Sequence, residues 1–257
     1  MITLTTDFGL RDPYVAEMKG AILTINPKAT LIDITHGVEK FNIRTGSFIL
    51  ASATPYFPKG TTHLVIVDPG VGTERRGIVV QTKKGFFVGP DNGVLILAAQ
   101  NQGIEAINEL SNPNLMLPQT SSTFHGRDIF APAAAYIDKG TQPKDFGSEI
   151  KDPVLPHFSA VEQISGALTG EILYIDGFGN VIFNIKEKIM PNSPVINVKL
   201  PKISLKLKFC KTYGEATTCE PILLVGSHGF VELALNKGSA AKKFHVKVGD
   251  KIAVIVD

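Results

Sequence analysis

The chain has 257 residues, 44% of them apolar, which is enough for one large domain or two smaller ones with buried cores. Lysine and arginine number 26 against 24 aspartates and glutamates, so no strong field recruits nucleic acid or an anionic membrane, and a small-molecule partner is expected. No uncharged apolar run approaches the roughly 18 residues a membrane-spanning helix needs, and Met1–Thr6 enters a β-like run with no basic leader or cleavage site, so a soluble, cytoplasmic protein is expected.

In chain order, short β-branched runs alternate with helical patterns over the first 160 residues, the mark of a mostly parallel sheet with crossover helices. Strands are expected at Ile2–Thr6, Thr30–Ile34, His63–Asp68, Ile78–Thr82 and Phe86–Val88. The first helix should open on Asp12 as N-cap with Pro13 at its first position, Val15, Met18, Ala21 and Ile22 forming its apolar face. A second is expected from about Ile43 to Ala53, closed by Pro55, and an Ala-rich third from about Asp128 to Asp138, ended by Gly140.

After a Pro-rich, polar stretch at Lys151–His157 the pattern changes. Short segments separated by Gly, Pro, Asn and Lys turns follow: Glu171–Ile175, Val181–Ile185, Val195–Leu200, Ser204–Phe209, Ile222–Val225 and Lys251–Val256. They predict a smaller antiparallel β-barrel or sandwich domain, so the division is an α/β domain over 1–160 and a β domain over 168–257, with the boundary near 155–168. Cys210 and Cys219 have no histidines at ligand spacing and do not suggest zinc; free thiols and a hairpin disulfide both remain open.

Ligands of α/β sheets sit beyond the carboxyl ends of the strands, which singles out the charged residues there. Asp7 ends the first strand, Asp68 and Arg75 lie in DPGVGTERR after the third, and His125, Arg127 and Asp128 stand in SSTFHGRD before a helix. Taken singly, each is explained as a cap, turn former or satisfied core residue; a fold has little structural reason to gather all three groups at one end. Several familiar strings fail for want of context. Asp7-Phe8-Gly9 has none of the kinase elements before it, and Gly70-Val71-Gly72 has Arg75 where a dinucleotide loop needs its third glycine. Walker, HExxH and GxSxG strings are absent.

Together, TTDFGLRDPYVAEMKG, DITHGVEKF, VIVDPGVGTERR, GPDNG, SSTFHGRDIFAPAAA, YIDGFGNVIFN and GSHGFVELALNKGSAA resemble, in order and spacing, the S-adenosylmethionine hydroxide adenosyltransferases. These are adenosine-forming S-adenosyl-L-methionine hydrolases, related to fluorinating and chlorinating enzymes that attack the same carbon. The resemblance implies an N-terminal α/β domain holding the nucleophile and ribose sites, a C-terminal β domain contributing adenine and methionine contacts, and a homotrimer with sites at subunit interfaces. It implies displacement at the ribose C5′ by water, with Asp68, Arg75 and His125 as the catalytic group. Asp7 matches the carboxylate that grips the ribose hydroxyls, Asp12 and Asp176 contacts for the methionine amine, Phe41 and Phe178 aromatics flanking the nucleoside. Asn180 matches an adenine contact and Ser227 a contact for the methionine carboxylate. No cofactor and no metal are implied, because S-adenosyl-L-methionine is itself the substrate.

Where the halogenating relatives hold a halide with Tyr, Thr and Ser, this chain has Asp68, Val71 and Gly126, and His228 replaces an Arg of some relatives. A carboxylate beside the attack point repels a halide. Three rivals remain at this stage: a methyltransferase, a non-catalytic adenosylmethionine or adenosine binder, and adenosyl transfer to another nucleophile. The Asp68/Arg75/His125 group speaks against a mere binder and the missing Gly-rich loop against an ordinary methyltransferase.

Overall fold

A computed structural model describes residues 1–156, 158, 160–164, 166–191 and 193–255. The chain divides into two compact units, Met1–Pro156 and His157–Asp257. His157 and Val256, which close two of the segments read from sequence, lie outside the described residues.

In the first unit, six strands form one sheet: β1 (Ile2–Thr6), β2 (Leu31–Thr35), β3 (Thr61–Ile66), β4 (Gly77–Thr82), β5 (Gly85–Pro90) and β6 (Ile104–Glu109), in the order β2-β1-β3-β5-β4-β6. β2, β1, β3 and β5 are mutually parallel, while β4 pairs antiparallel with both β5 and β6. The period-2 alternation of β3 explains the layering. Leu64 and Ile66 enter a core with Met18 and Ile22 of α1 (Tyr14–Ile25) and the alanines of α4 (Ala131–Asp138). Val65 and the following Val67 enter the opposite core with Leu50 of α2 (Ile43–Ala53) and Leu97 of α3 (Ile96–Gln102). A strand covered on both faces is buried at every position, and so are all six residues of β3, the polar Thr61, Thr62 and His63 included.

Two helix expectations need correction. Pro13, not Asp12, stands at the cap of α1; its carbonyl accepts from Glu17 N at 2.9 Å, no side chain caps the helix, and Asp12 is exposed. The third helix is not continuous from Asp128: Gly126–Phe130 form a π turn in which Ala131 N donates to Gly126 O. Pro132 explains the break, because it has no N–H to offer the carbonyl of Asp128 four residues back. That carbonyl instead accepts from Leu117 N at 2.9 Å. β3 also ends earlier than expected, at Ile66, so Asp68 stands beyond it in the loop. Neither α3 nor β6 is expected from the sequence reading.

The second unit closes on itself. β8 (Ala167–Ile175), β14 (Lys251–Ile255), β10 (Val195–Lys199), β11 (Ser204–Phe209), β12 (Pro221–Val225), β13 (Phe230–Leu235) and β9 (Val181–Lys186) pair in that order, and β9 returns to β8. Of these pairs only β11–β12 is parallel. β7 (Glu162–Ile164) extends the sheet as a hairpin with β8. Leu168, Phe183, Val198, Leu233 and Val254 are among the side chains that fill the barrel, and the short helix α5 (Ala240–Phe244) packs Ala240 against it. Closure leaves the ring no free edge. Cys210 is buried, Cys219 exposed, and both are free thiols.

Candidate active site

β1 and β3 are neighbours, so the residues that follow them are brought side by side. Asp7 N donates to Ile66 O at 3.3 Å, and the Asp7 side chain is buried with its Oδ2 accepting from Phe41 N at 2.8 Å. Phe41 takes a left-handed backbone, φ 63°, with its ring two-thirds exposed. A non-glycine residue there is uncommon and such strain gathers at functional sites. The structure thus joins Asp7 and Phe41, which are far apart in sequence.

The DPGVGTERR loop folds back on itself. Val71 N donates to Asp68 O at 3.3 Å, and both Thr73 N and Thr73 Oγ1 donate to Gly70 O, at 3.2 and 2.7 Å. Gly72 has φ 78°, and a Cβ there would lie 2.3 Å from the carbonyl oxygen of Ser122, so only glycine lets this loop lie against the segment leading to His125. The reversal returns Arg75 to Asp68. Arg75 Nε donates to both Asp68 oxygens at 3.0 Å, and Arg75 Nη2 also bonds Asp68 Oδ2. The same Nη2 lies 3.1 Å from His125 Nδ1.

That last contact settles the imidazole's tautomer. A guanidinium only donates, so His125 Nδ1 must accept, and the proton of the neutral ring sits on Nε2. Burial pushes the His125 pKa down, and the Arg75 charge adds to it, against smaller opposite effects of Asp68 and Asp128. His125 is therefore a neutral donor through Nε2 at neutral pH, and Asp68 is left as the proton acceptor of the group. The expected activity profile follows: with the pKa below the ordinary 6.5, kcat holds as pH falls to 6.5 and declines only below it, when protonation sets a donor against Arg75. An acid limb centred above pH 6.5 in steady-state kinetics would contradict this assignment.

A cavity of about 420 Å³ opens on this group, lined by Phe8, Tyr14, Asp68, Val71, Phe124 and His125 among others. Phe8, Tyr14 and Phe124 meet edge to face, with ring centroids 5.1 to 5.8 Å apart. Arg127, in the same sequence cluster as His125, has a structural task. Its Nη1 bonds Glu17 at 2.8 Å and its Nε the fully buried Asp128 at 2.6 Å. Asp128 Oδ2 in turn accepts from Ser121 N at 2.8 Å, tying down the loop before His125.

In the second unit, Asp176 follows β8 and organises its loop. Its Oδ1 accepts from Phe178 N and Asn180 N, and its Oδ2 from Asn180 Nδ2, each at 2.9 Å. Asn180 is thereby buried and held by its amide nitrogen, while the Phe178 ring stands 82% exposed. Ser227 is exposed in the turn between β12 and β13. Among the described residues of its own unit, neither Asp12 nor Ser227 is hydrogen-bonded to another candidate. Glu232 was passed over at the level of sequence. It is buried in β13, accepts from Tyr213 Oη at 2.7 Å, and has its pKa raised mainly by burial. The signal was present: a charge inside the apolar run FVELAL. Among the described residues, no cluster of three or more His, Cys, Asp or Glu could hold a metal ion, and no helix is long and apolar enough to cross a membrane.

A parallel-centred α/β unit with a carboxylate, a guanidinium and an imidazole beyond its strand ends, followed by a closed β barrel, defines an enzyme-type protein of two units. The chain belongs to the SAM hydroxide adenosyltransferase family: residues 2–147 match the model of its N-terminal domain and residues 170–253 that of its C-terminal domain. It is 36% identical over 256 residues to the (R)-S-adenosyl-L-methionine hydrolase of Salinispora arenicola, covering 98% of this chain and 97% of the relative. The hydrolase of the same name from Methanocaldococcus jannaschii is 37% identical over 270 residues, covering 99% and 95%. The crystal structure of an uncharacterized conserved protein from Thermotoga maritima superposes with a TM-score of 0.90 at 39% identity, covering 99% of this chain and 100% of that one.

Proposed function

We propose that this chain hydrolyses S-adenosyl-L-methionine at the ribose C5′, giving adenosine and L-methionine, and that it acts on the R epimer at sulfur, the substrate in the names of its relatives. The observation that carries the reading is the hydrogen-bonded group of Asp68, Arg75 and His125, of which Asp68 and His125 line a cavity. Water bonds to C5′ as the C5′–S bond breaks; the electron pair goes to sulfur, and a positive sulfonium leaves as a neutral thioether. The leaving group needs no acid, so the enzyme's work is to orient the water and remove its proton. Asp68 takes that proton. Arg75 and the Nε2–H of His125 hold the developing hydroxide-like oxygen by donation. Asp7 accepts from the ribose hydroxyls, with Phe41 beside it. In the same proposal Phe178 flanks the nucleoside, Asn180 reads adenine, Asp12 and Asp176 take the methionine amine, and Ser227 the carboxylate. No metal or cofactor enters the reaction.

Incubation with each sulfonium epimer separately, with products identified by chromatography and mass spectrometry, tests the reading. Adenosine and methionine are expected, faster from the R epimer; S-adenosylhomocysteine, or no product from either, would overturn it. Halide is expected to stay out of the product, because Asp68 repels an anion at the attack point and Val71 and Gly126 offer no hydroxyl to hold one. Reactions run in concentrated chloride or fluoride check this, and a substantial yield of 5′-halo-5′-deoxyadenosine would contradict it. A homotrimer is part of the proposal on the strength of the family motifs, and native mass spectrometry tests it.

A further inference from the structure

We propose that Phe130 is a positioning residue for this hydrolysis: its ring is the platform on which the Arg75 guanidinium lies, and the π turn sets His125 and Phe130 on that one guanidinium. The inference rests on the reading of Arg75 as catalytic.

Arg75 needs such a platform. Its side chain is long and rotamer-rich, and its value depends on presenting a fixed fork to Asp68 and a fixed donor to His125. The Arg75 Cζ lies 5.0 Å from the Phe130 ring centroid, within cation–π range, and Phe130 is fully buried. The edge of the ring also lies close against the β4 backbone. Gly77, the first residue of β4, comes so close that a Cβ there would fall 2.8 Å from Phe130 Cε1. A side chain larger than hydrogen at residue 77 would therefore displace the ring on which Arg75 lies.

The π turn supplies the register. In an α-helix, residues five apart diverge by about 140° around the axis, so His125 and Phe130 would point to different sides. A turn closed i→i+5, as Ala131 N to Gly126 O is here, brings them back to nearly the same side. His125 accordingly meets Arg75 Nη2 while Phe130 meets its face. Pro132 and the Leu117-to-Asp128 bond, which keep the turn from relaxing to an α-helix, thus serve the catalytic group from outside it.

The test is a double-mutant cycle. Phe130→Met removes the ring and keeps buried apolar volume; Gly77→Ala keeps the ring and pushes it, which covers the case in which Phe130→Met does not fold. Each is made alone and in an Arg75→Ala background, with kcat, KM and melting temperature measured. Alone, each should lower kcat roughly tenfold with KM changed by less than about threefold, and neither should lower kcat further once Arg75 is gone. NMR titration should show the His125 pKa rising as Arg75 leaves its Nδ1. Equal kcat losses in both backgrounds, or wild-type kcat in the variants alone, would overturn the inference. Wild-type kcat in Arg75→Ala would instead remove the catalytic reading itself, and the inference with it.

Discussion

Asp68→Ala should lower kcat by roughly 100-fold or more, the usual scale for losing a positioned proton acceptor, while substrate affinity changes little. Asp68 is the one group of the three able to take the water's proton. Arg75 only donates, and His125 turns its accepting nitrogen to Arg75. The substitution also frees Arg75, which gives three bonds to that carboxylate, so orientation is lost along with the acceptor. Asp68→Asn separates these effects: the amide keeps one acceptor oxygen for Arg75 and still fails as a base, so its kcat should be close to that of the alanine variant. Turnover near wild type in either variant would remove Asp68 from the mechanism.

Gly72→Ala should be comparably damaging although residue 72 touches no reacting atom. Its Cβ would meet a backbone carbonyl at 2.3 Å, not the end of a pliable side chain, and φ is 78°. Either the Asp68–Arg75 loop or the segment before His125 must move, and both hold groups proposed to act in the reaction. A displacement of about 1 Å in such a constellation costs on the order of 100-fold in rate. The fold itself should survive, because both segments are loops beyond the sheet: strain of about 1 to 3 kcal/mol corresponds to less than about 10 °C in melting temperature for a chain of this size. A variant with unchanged kcat would show that the two loops are not held together as described.

Much of this site was legible because strand ends are legible. Ile2–Thr6 reads as a strand from its β-branched run, and whatever follows it, here Asp7, must emerge at the edge of the sheet. The same logic set Asp68 and Arg75 beyond the third strand, while His125, which stands before a helix, joined them through the family resemblance. What could not be read was register. The direction of β4 against β5 was readable from spacing alone, because a two-residue turn is too short for the crossover a parallel pair needs. The apolar run 94–99 followed by the polar 100–102 shows no apolar face to mark a helix over Ile96–Gln102, and β6 is too polar to announce a strand. The π turn was invisible for a different reason: Pro132 suits the first turn of a helix, and only the partner found by the Asp128 carbonyl reveals that the turn is wider. Glu232 shows the opposite case, a charge in an apolar strand that was readable and is explained by the Tyr213 hydroxyl beside it.

In the proposed reaction water attacks the ribose carbon, and oxygen labelling follows that bond. The protein is given (R)-S-adenosyl-L-methionine in water enriched in oxygen-18, and both products are analysed by tandem mass spectrometry. One labelled oxygen per turnover is expected at the 5′ position of adenosine and none in methionine. Label-free adenosine, free adenine, or S-adenosylhomocysteine as the main product would place the bond cleavage elsewhere and contradict the proposed reaction.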